Sequence, residues 1–180
     1  MENGSVRSKN SKNILIKNMF DVCIGAILFW IIGYSFAFGE KPSGFIGGDS
    51  VTIFGQGFDQ ARDKDHYAIW IFQFSFAATA STIVSGSLAE RTMLPTYIIF
   101  SALMTGFIYP TIVAWTWGEG WLFKLGFTDF AGCGIVHMTG GVAGFFGTMV
   151  LGPRIGTYPA ENISMKDEPE VKELKKRVAD

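Results

Sequence analysis

Four stretches of this 180-residue chain contain no charged side chain: Val22 to Gly39, Tyr67 to Ala89, Thr92 to Gly118 and Phe130 to Pro153. Each approaches or exceeds the roughly 17–25 residues that an α-helix needs to cross a bilayer. A soluble alternative would bury all four runs as a helical bundle, and a chain of this size has too little volume to cover them. The runs therefore predict an all-α integral membrane protein with four transmembrane helices, at about residues 20–39, 67–89, 93–117 and 130–152. Mean hydropathy is only modestly positive because both ends of the chain are polar.

The net charge of −1 says nothing about nucleic acid, and no nucleic-acid partner is expected; the distribution of charge says more, because it orients the helices. Arg7, Lys9, Lys12 and Lys17 precede the first span, Arg91 lies between the second and third, and six basic residues from Arg154 to Arg177 follow the fourth. The alternate loops hold only Lys41, Arg62, Lys64 and Lys124. Basic residues concentrate on the cytoplasmic side of membrane proteins, so both termini and the Glu90–Arg91 turn are expected there. The segment 1–18 reads as a basic leader without the apolar core of a signal peptide. Residues 157–180 read as a charged cytoplasmic tail, in which Val171, Leu174 and Val178 form one stripe of a short helix starting near Asp167. The connection 39–66 is glycine-rich, then acidic, as suits an outer loop. Cys23 and Cys133 both fall inside spans and build no disulfide framework. Asn3 and Asn162 match the glycosylation pattern on the side where it is not used.

His137 interrupts the fourth apolar run, and an ionisable group at that depth usually faces a bundle interior or a cavity. Residues four apart share one face of a helix, so Asp129, Cys133 and His137 are expected roughly in line, with Gly134, Gly140, Gly141 and Gly144 crowding the same side. Small residues there let helices approach closely. Three readings of His137 compete: a core histidine, a metal ligand, and a group lining a path for a small polar solute. The metal reading is the weakest: Cys133 and His137 could share a zinc ion, but Asp129 would stand about 12 Å along the helix from His137, and a closed zinc site needs four ligands. No metal and no cofactor are expected. Asp129 suits the cap of the fourth helix, where it meets free amides and the positive end of the dipole. The aromatic residues Phe72 and Phe76 lie one turn apart, and Trp115, Trp117 and Trp121 cluster at the outer end of the third span. They read either as a headgroup-level belt or as a vestibule whose ring faces attract a small cation.

Several blocks, in order, resemble the ammonium transporter superfamily, which includes the Rhesus proteins. They are Gly33-Tyr34-Ser35-Phe36-Ala37-Phe38-Gly39, Phe72-Gln73-Phe74-Ser75-Phe76-Ala77 and Ser85-Gly86-Ser87-Leu88-Ala89-Glu90-Arg91-Thr92. Asp129-Phe130-Ala131-Gly132, Val136-His137-Met138 and Gly152-Pro153-Arg154-Ile155-Gly156 complete the series, which covers about residues 4–156. The resemblance implies an eleven-helix channel-like fold of two inverted repeats, assembled as a homotrimer with one pore per protomer. Domain 19–156 would be part of the first repeat, with the first helix and the second repeat lying outside the sequence. By matching motif, Phe76 would be the outer-gate phenylalanine with Phe72 one turn away, and Trp117 the vestibule tryptophan that holds ammonium. Asp129 would be the acid beneath it, and His137 the first of two pore histidines. The implied function is selective movement of ammonium or ammonia, without enzymatic activity, in the plasma membrane. The alternative is a non-conducting chain that associates with full-length subunits and modulates them.

Overall fold

The computed structural model describes residues 2–40, 44–48, 54 and 66–154. The expected tail helix, the Asn162 motif and most of the outer connection lie outside the described residues. Four helices are long and apolar enough to cross a membrane: α1 (Ser8–Phe38), α2 (His66–Leu88), α3 (Leu94–Trp115) and α4 (Cys133–Leu151). The described residues contain no β-strand. A one-turn helix, Glu2–Ser5, precedes α1, and another, Trp121–Lys124, lies between α3 and α4.

Helix α1 reaches back well before residue 20, into the segment expected to be a polar leader. Charge delayed the expected start, because Lys17 and Asp21 are polar, yet both are buried here. The Lys17 ammonium donates to the Ser85 carbonyl at 2.9 Å and lies 4.0 Å above the Tyr97 ring. The Tyr97 hydroxyl donates to the Asp21 carboxylate. The Ser81 hydroxyl oxygen stands 3.3 Å from Asp21 Oδ1 and 3.2 Å from the Ser101 hydroxyl oxygen. Charged groups in a membrane helix persist when they face the bundle and find partners, as these do across α1, α2 and α3.

Three of the helices contain a π-helical turn, at Phe29–Gly33, Met104–Ile108 and Cys133–Met138. The one in α3 has a visible cause: Pro110, two residues past its end, has no N–H to donate back into a regular turn. At Gly33 the backbone of α1 meets that widened turn, and a Cβ there would sit 2.8 Å from the Thr105 carbonyl oxygen.

Helices α2 and α4 pack closely along much of their length, as α1 and α3 do. Gly140 and Gly144 make it possible: a Cβ at Gly140 would lie 2.9 Å from the Ala80 carbonyl oxygen, and one at Gly144 2.6 Å from the Ser87 hydroxyl. Lipid is as apolar as leucine, so this close contact, rather than water exclusion, holds the helices together. The expected arrangement of glycines around His137 is corrected here. Gly140 and Gly144 face α2, Gly141 has open space beside it, and His137 is exposed on another side. The intervening π turn changes the rotation that a regular 3.6-residue period assumes. The core is formed by Phe29, Tyr97, Met104, Tyr109, Val84 and Val113, joined by Ile135 and Val136 from the start of α4. The rest of α4 presents Met138, Val142, Phe145 and Met149 outward.

Candidate functional site at the entry to α4

Four of the five expected site residues form one series of contacts where α4 begins. Phe72 and Phe76 meet edge to face with ring centroids 5.0 Å apart. Phe76 lies 5.3 Å from the Trp117 ring. The Trp117 indole Nε1 donates to the backbone carbonyl oxygen of Asp129 at 2.7 Å. This splits the tryptophan cluster expected from sequence: Trp115 pairs with Trp121 at 5.9 Å and with Phe45 at 5.1 Å, while Trp117 turns to Phe76 and Asp129.

Asp129 stands outside the helix and closes its end. Oδ1 accepts the amides of Gly132 at 2.8 Å and Cys133 at 3.1 Å, and Oδ2 accepts those of Gly134 and Ile135, each at 2.9 Å. The first amides of a helix have no carbonyl one turn back, and a carboxylate there also meets the positive end of the dipole. Asp129 is therefore a cap and not a helical neighbour of Cys133 and His137, which corrects the in-line arrangement. Both of its oxygens are committed to amides, so it has no geometry for joining Cys133 and His137 around a metal. Partial burial pushes its pKa up, but the amides of Ile135, Gly132, Gly134 and Cys133 outweigh this and hold it below the usual carboxylate range. The result is a negative charge held at the entry to α4, on the residue whose backbone carbonyl anchors the Trp117 indole.

Gly132 makes the turn possible. Its φ is +83°, a left-handed conformation that L side chains rarely adopt, and a Cβ would lie 3.1 Å from the Trp117 ring. Tyr109, fully buried on α3, lies within the field of Asp129, and its hydroxyl has no hydrogen-bond partner among the described residues. Sequence reasoning passed over Tyr109 because nothing in its spacing distinguishes it from the core tyrosine Tyr97.

His137 is not part of the contact series. It sits on the first, π-helical turn of α4, where its amide donates to the Gly132 carbonyl at 3.0 Å. Its side chain is exposed on the same open surface as Met138. Phe72 is also more than half exposed, at 59%. The site is thus walled on one side by α2 and α3 and open on the other.

Comparison with known proteins places this geometry. The model of the ammonium transporter family matches residues 1–171. The chain is 43% identical to Ammonium transporter 3 of Dictyostelium discoideum over 94% of its own length and 38% of that protein. It is 43% identical to Ammonium transporter 1 member 3 of Oryza sativa subsp. japonica over 91% of its length and 34% of that protein. A solved structure described as a sensor Amt protein superposes with a TM-score of 0.83 at 35% identity, covering 89% of this chain and 41% of the other. The chain spans little more than a third of the length of these curated relatives. With the four helices and the Phe76–Trp117–Asp129 junction all inside the matched region, the chain belongs to the ammonium transporter family.

Proposed function

We propose that this segment forms one wall of a pathway that selectively moves ammonium or ammonia across the plasma membrane. The observation that carries the reading is the unbroken contact series from Phe76 through Trp117 to the capped Asp129. Ammonium has the charge of potassium and nearly its size, so charge alone cannot select it. Aromatic faces together with hydrogen-bond acceptors can replace part of its water. Trp117 supplies the ring face, Phe72 and Phe76 narrow the entrance, and Asp129 adds a fixed negative charge while anchoring the indole. Carrying an intact charge farther through an apolar bore is costly. His137 offers an imidazole, which can take part in hydrogen bonding to the solute. The exposed face of α4 that carries His137 supports closure of the path by further protein surface, and the assembly is proposed to be a homotrimer. The excess of basic residues in alternate loops supports cytoplasmic termini.

The test uses a complete transporter carrying this segment. Trp117→Leu should weaken apparent ammonium affinity by on the order of 1–2 kcal/mol, and His137→Ala should impair transport at normal expression. Unchanged affinity in the first variant would return Trp117 to the aromatic-belt role, and unchanged selectivity in the second would remove His137 from the path. Vesicles containing only the 180-residue chain should show no saturable methylammonium uptake. Saturable uptake abolished by His137→Ala would instead mean that copies of the chain close the pore themselves.

A further inference from the structure

Helix α3 buries a stripe that repeats every four residues: Tyr97, Ser101, Thr105, Tyr109 and Val113 are each at most 1% exposed. A regular α-helix cannot keep such a stripe on one face. Residues four apart are offset by about 40°, so Val113 would end almost opposite Tyr97. The π-helical turn at Met104–Ile108 holds one extra residue. It takes back about 100°, the rotation of one residue, and returns Tyr109 and Val113 to the face begun by Tyr97. Trp117, four residues beyond Val113, follows past the end of α3 and meets Phe76 and the Asp129 carbonyl oxygen. A regular turn at Met104–Ile108 would rotate everything outward of it by that same angle and carry Trp117 away from both partners.

The outer half of α1 is shaped to this register. A Cβ at Gly33 would lie 2.8 Å from the Thr105 carbonyl oxygen, 3.3 Å from Pro110 Cγ and 2.7 Å from the Phe29 ring. The first of these atoms is backbone of the widened turn itself and cannot swing aside. One turn farther along α1, a Cβ at Gly118 would collide with the Ala37 carbonyl oxygen, so the residue after Trp117 also rests on α1 backbone. Gly106 is the contrast. It lies within the same widened turn, yet a Cβ there would meet the Leu28 and Ile32 side chains at 3.6 Å, an ordinary contact.

We propose that Gly33 is a positioning residue for the aromatic site. It leaves the space in which α3 keeps its extra residue, and through that register it aims Trp117 at Phe76 and Asp129. The inference rests on the reading of Trp117 as the ring that meets ammonium.

The test is hydrogen exchange of the Trp117 indole N–H, followed by NMR on the isotope-labelled 180-residue chain in micelles, with the resonance identified by its loss in Trp117→Phe. Gly33→Ala should speed this exchange about fivefold, as expected for losing one hydrogen bond, whereas Gly106→Ala should leave it unchanged. Pro110→Ala restores an N–H to the turn without adding bulk, so it should also speed exchange, and it serves if Gly33→Ala does not fold. Unchanged exchange in a folded Gly33→Ala or, failing that, in Pro110→Ala would overturn the proposal, as would equal acceleration in Gly106→Ala. In a complete transporter carrying this segment, Gly33→Ala should raise the ammonium concentration for half-maximal transport about tenfold, with the maximal rate little changed. Faster indole exchange with that concentration unchanged would uphold the register and overturn instead the reading of Trp117 as the ring that meets ammonium.

Discussion

Asp129 and Glu90 are carboxylates at opposite ends of the bundle, both held below their ordinary pKa, by different routes. Asp129 takes its four hydrogen bonds from backbone amides three to six residues farther along the chain. Glu90 takes its bonds from Arg7 and Asn10, more than eighty and exactly eighty positions away by number, and from Arg154.

 The first arrangement is set by local chain geometry and survives as long as the turn does. The second exists only when the two ends of the described chain and the α2–α3 turn are brought together. It also holds Glu90 at φ +62°, a left-handed conformation unusual for a residue with a side chain. The contrast separates a carboxylate that builds its own helix end from one that fastens segments distant in sequence.

The largest expected effect comes from removing the local cap. Asp129→Ala strands four amides and loosens the turn that anchors Trp117. It should lower unfolding stability in mixed micelles by about 2 kcal/mol, read from a denaturing-detergent titration. Asp129→Asn should recover part of that loss, because one acceptor oxygen remains. If Asp129→Ala costs no more than a change at Glu90, the distinction between the two carboxylates collapses.

A smaller effect is expected at Glu90. Glu90→Gln keeps the size but weakens the bonds to Arg7 and Asn10, and should cost about 1 kcal/mol. Its signature is pH dependence. Hydrogen bonds from the Asn10 side chain and from Arg7 hold the Glu90 pKa at about 2, against an ordinary value of 4.5. A depressed carboxyl pKa gives stability that is present above the ordinary value and lost as pH falls through the folded one. Stability of the parent chain should therefore decline as the pH falls from about 4.5 toward about 2, with Asp129 contributing in the same direction. Glu90→Gln should flatten this decline, and an unchanged slope would show that Glu90 is not held by these partners in solution.

The smallest effect belongs to Arg7→Ala. The Arg7 side chain is 50% exposed, and pairs of that kind contribute about 0–1 kcal/mol and weaken with salt. A stability loss above that range, insensitive to added salt, would show that the Arg7–Glu90 contact is better shielded than its exposure indicates.

The helices were legible in the sequence because the absence of charge over a membrane-length run is a property of the run itself. Asp129 was legible as a cap for the same local reason, since its partners follow within six residues. The start of α1 was not. Lys17 and Asp21 look like a polar leader until Ser85, Tyr97 and Ser81 supply their partners from two other helices. The direction of His137 was also hidden, because the π turn at Cys133–Met138 departs from the regular period used to place it. Trp115, Trp117 and Trp121 look alike in a linear reading, and only the fold gives Trp117 a different set of neighbours.

The sequence by itself determined that this chain makes membrane-length helices and that α4 opens on a carboxylate, because chain composition and short-range hydrogen bonding decide both. Tertiary structure decided which charges could be buried, which glycines pair α2 with α4, and which aromatic rings meet Asp129. Those outcomes depend on groups that lie far apart along the chain and acquire their meaning only when packing brings them within contact or hydrogen-bond distance.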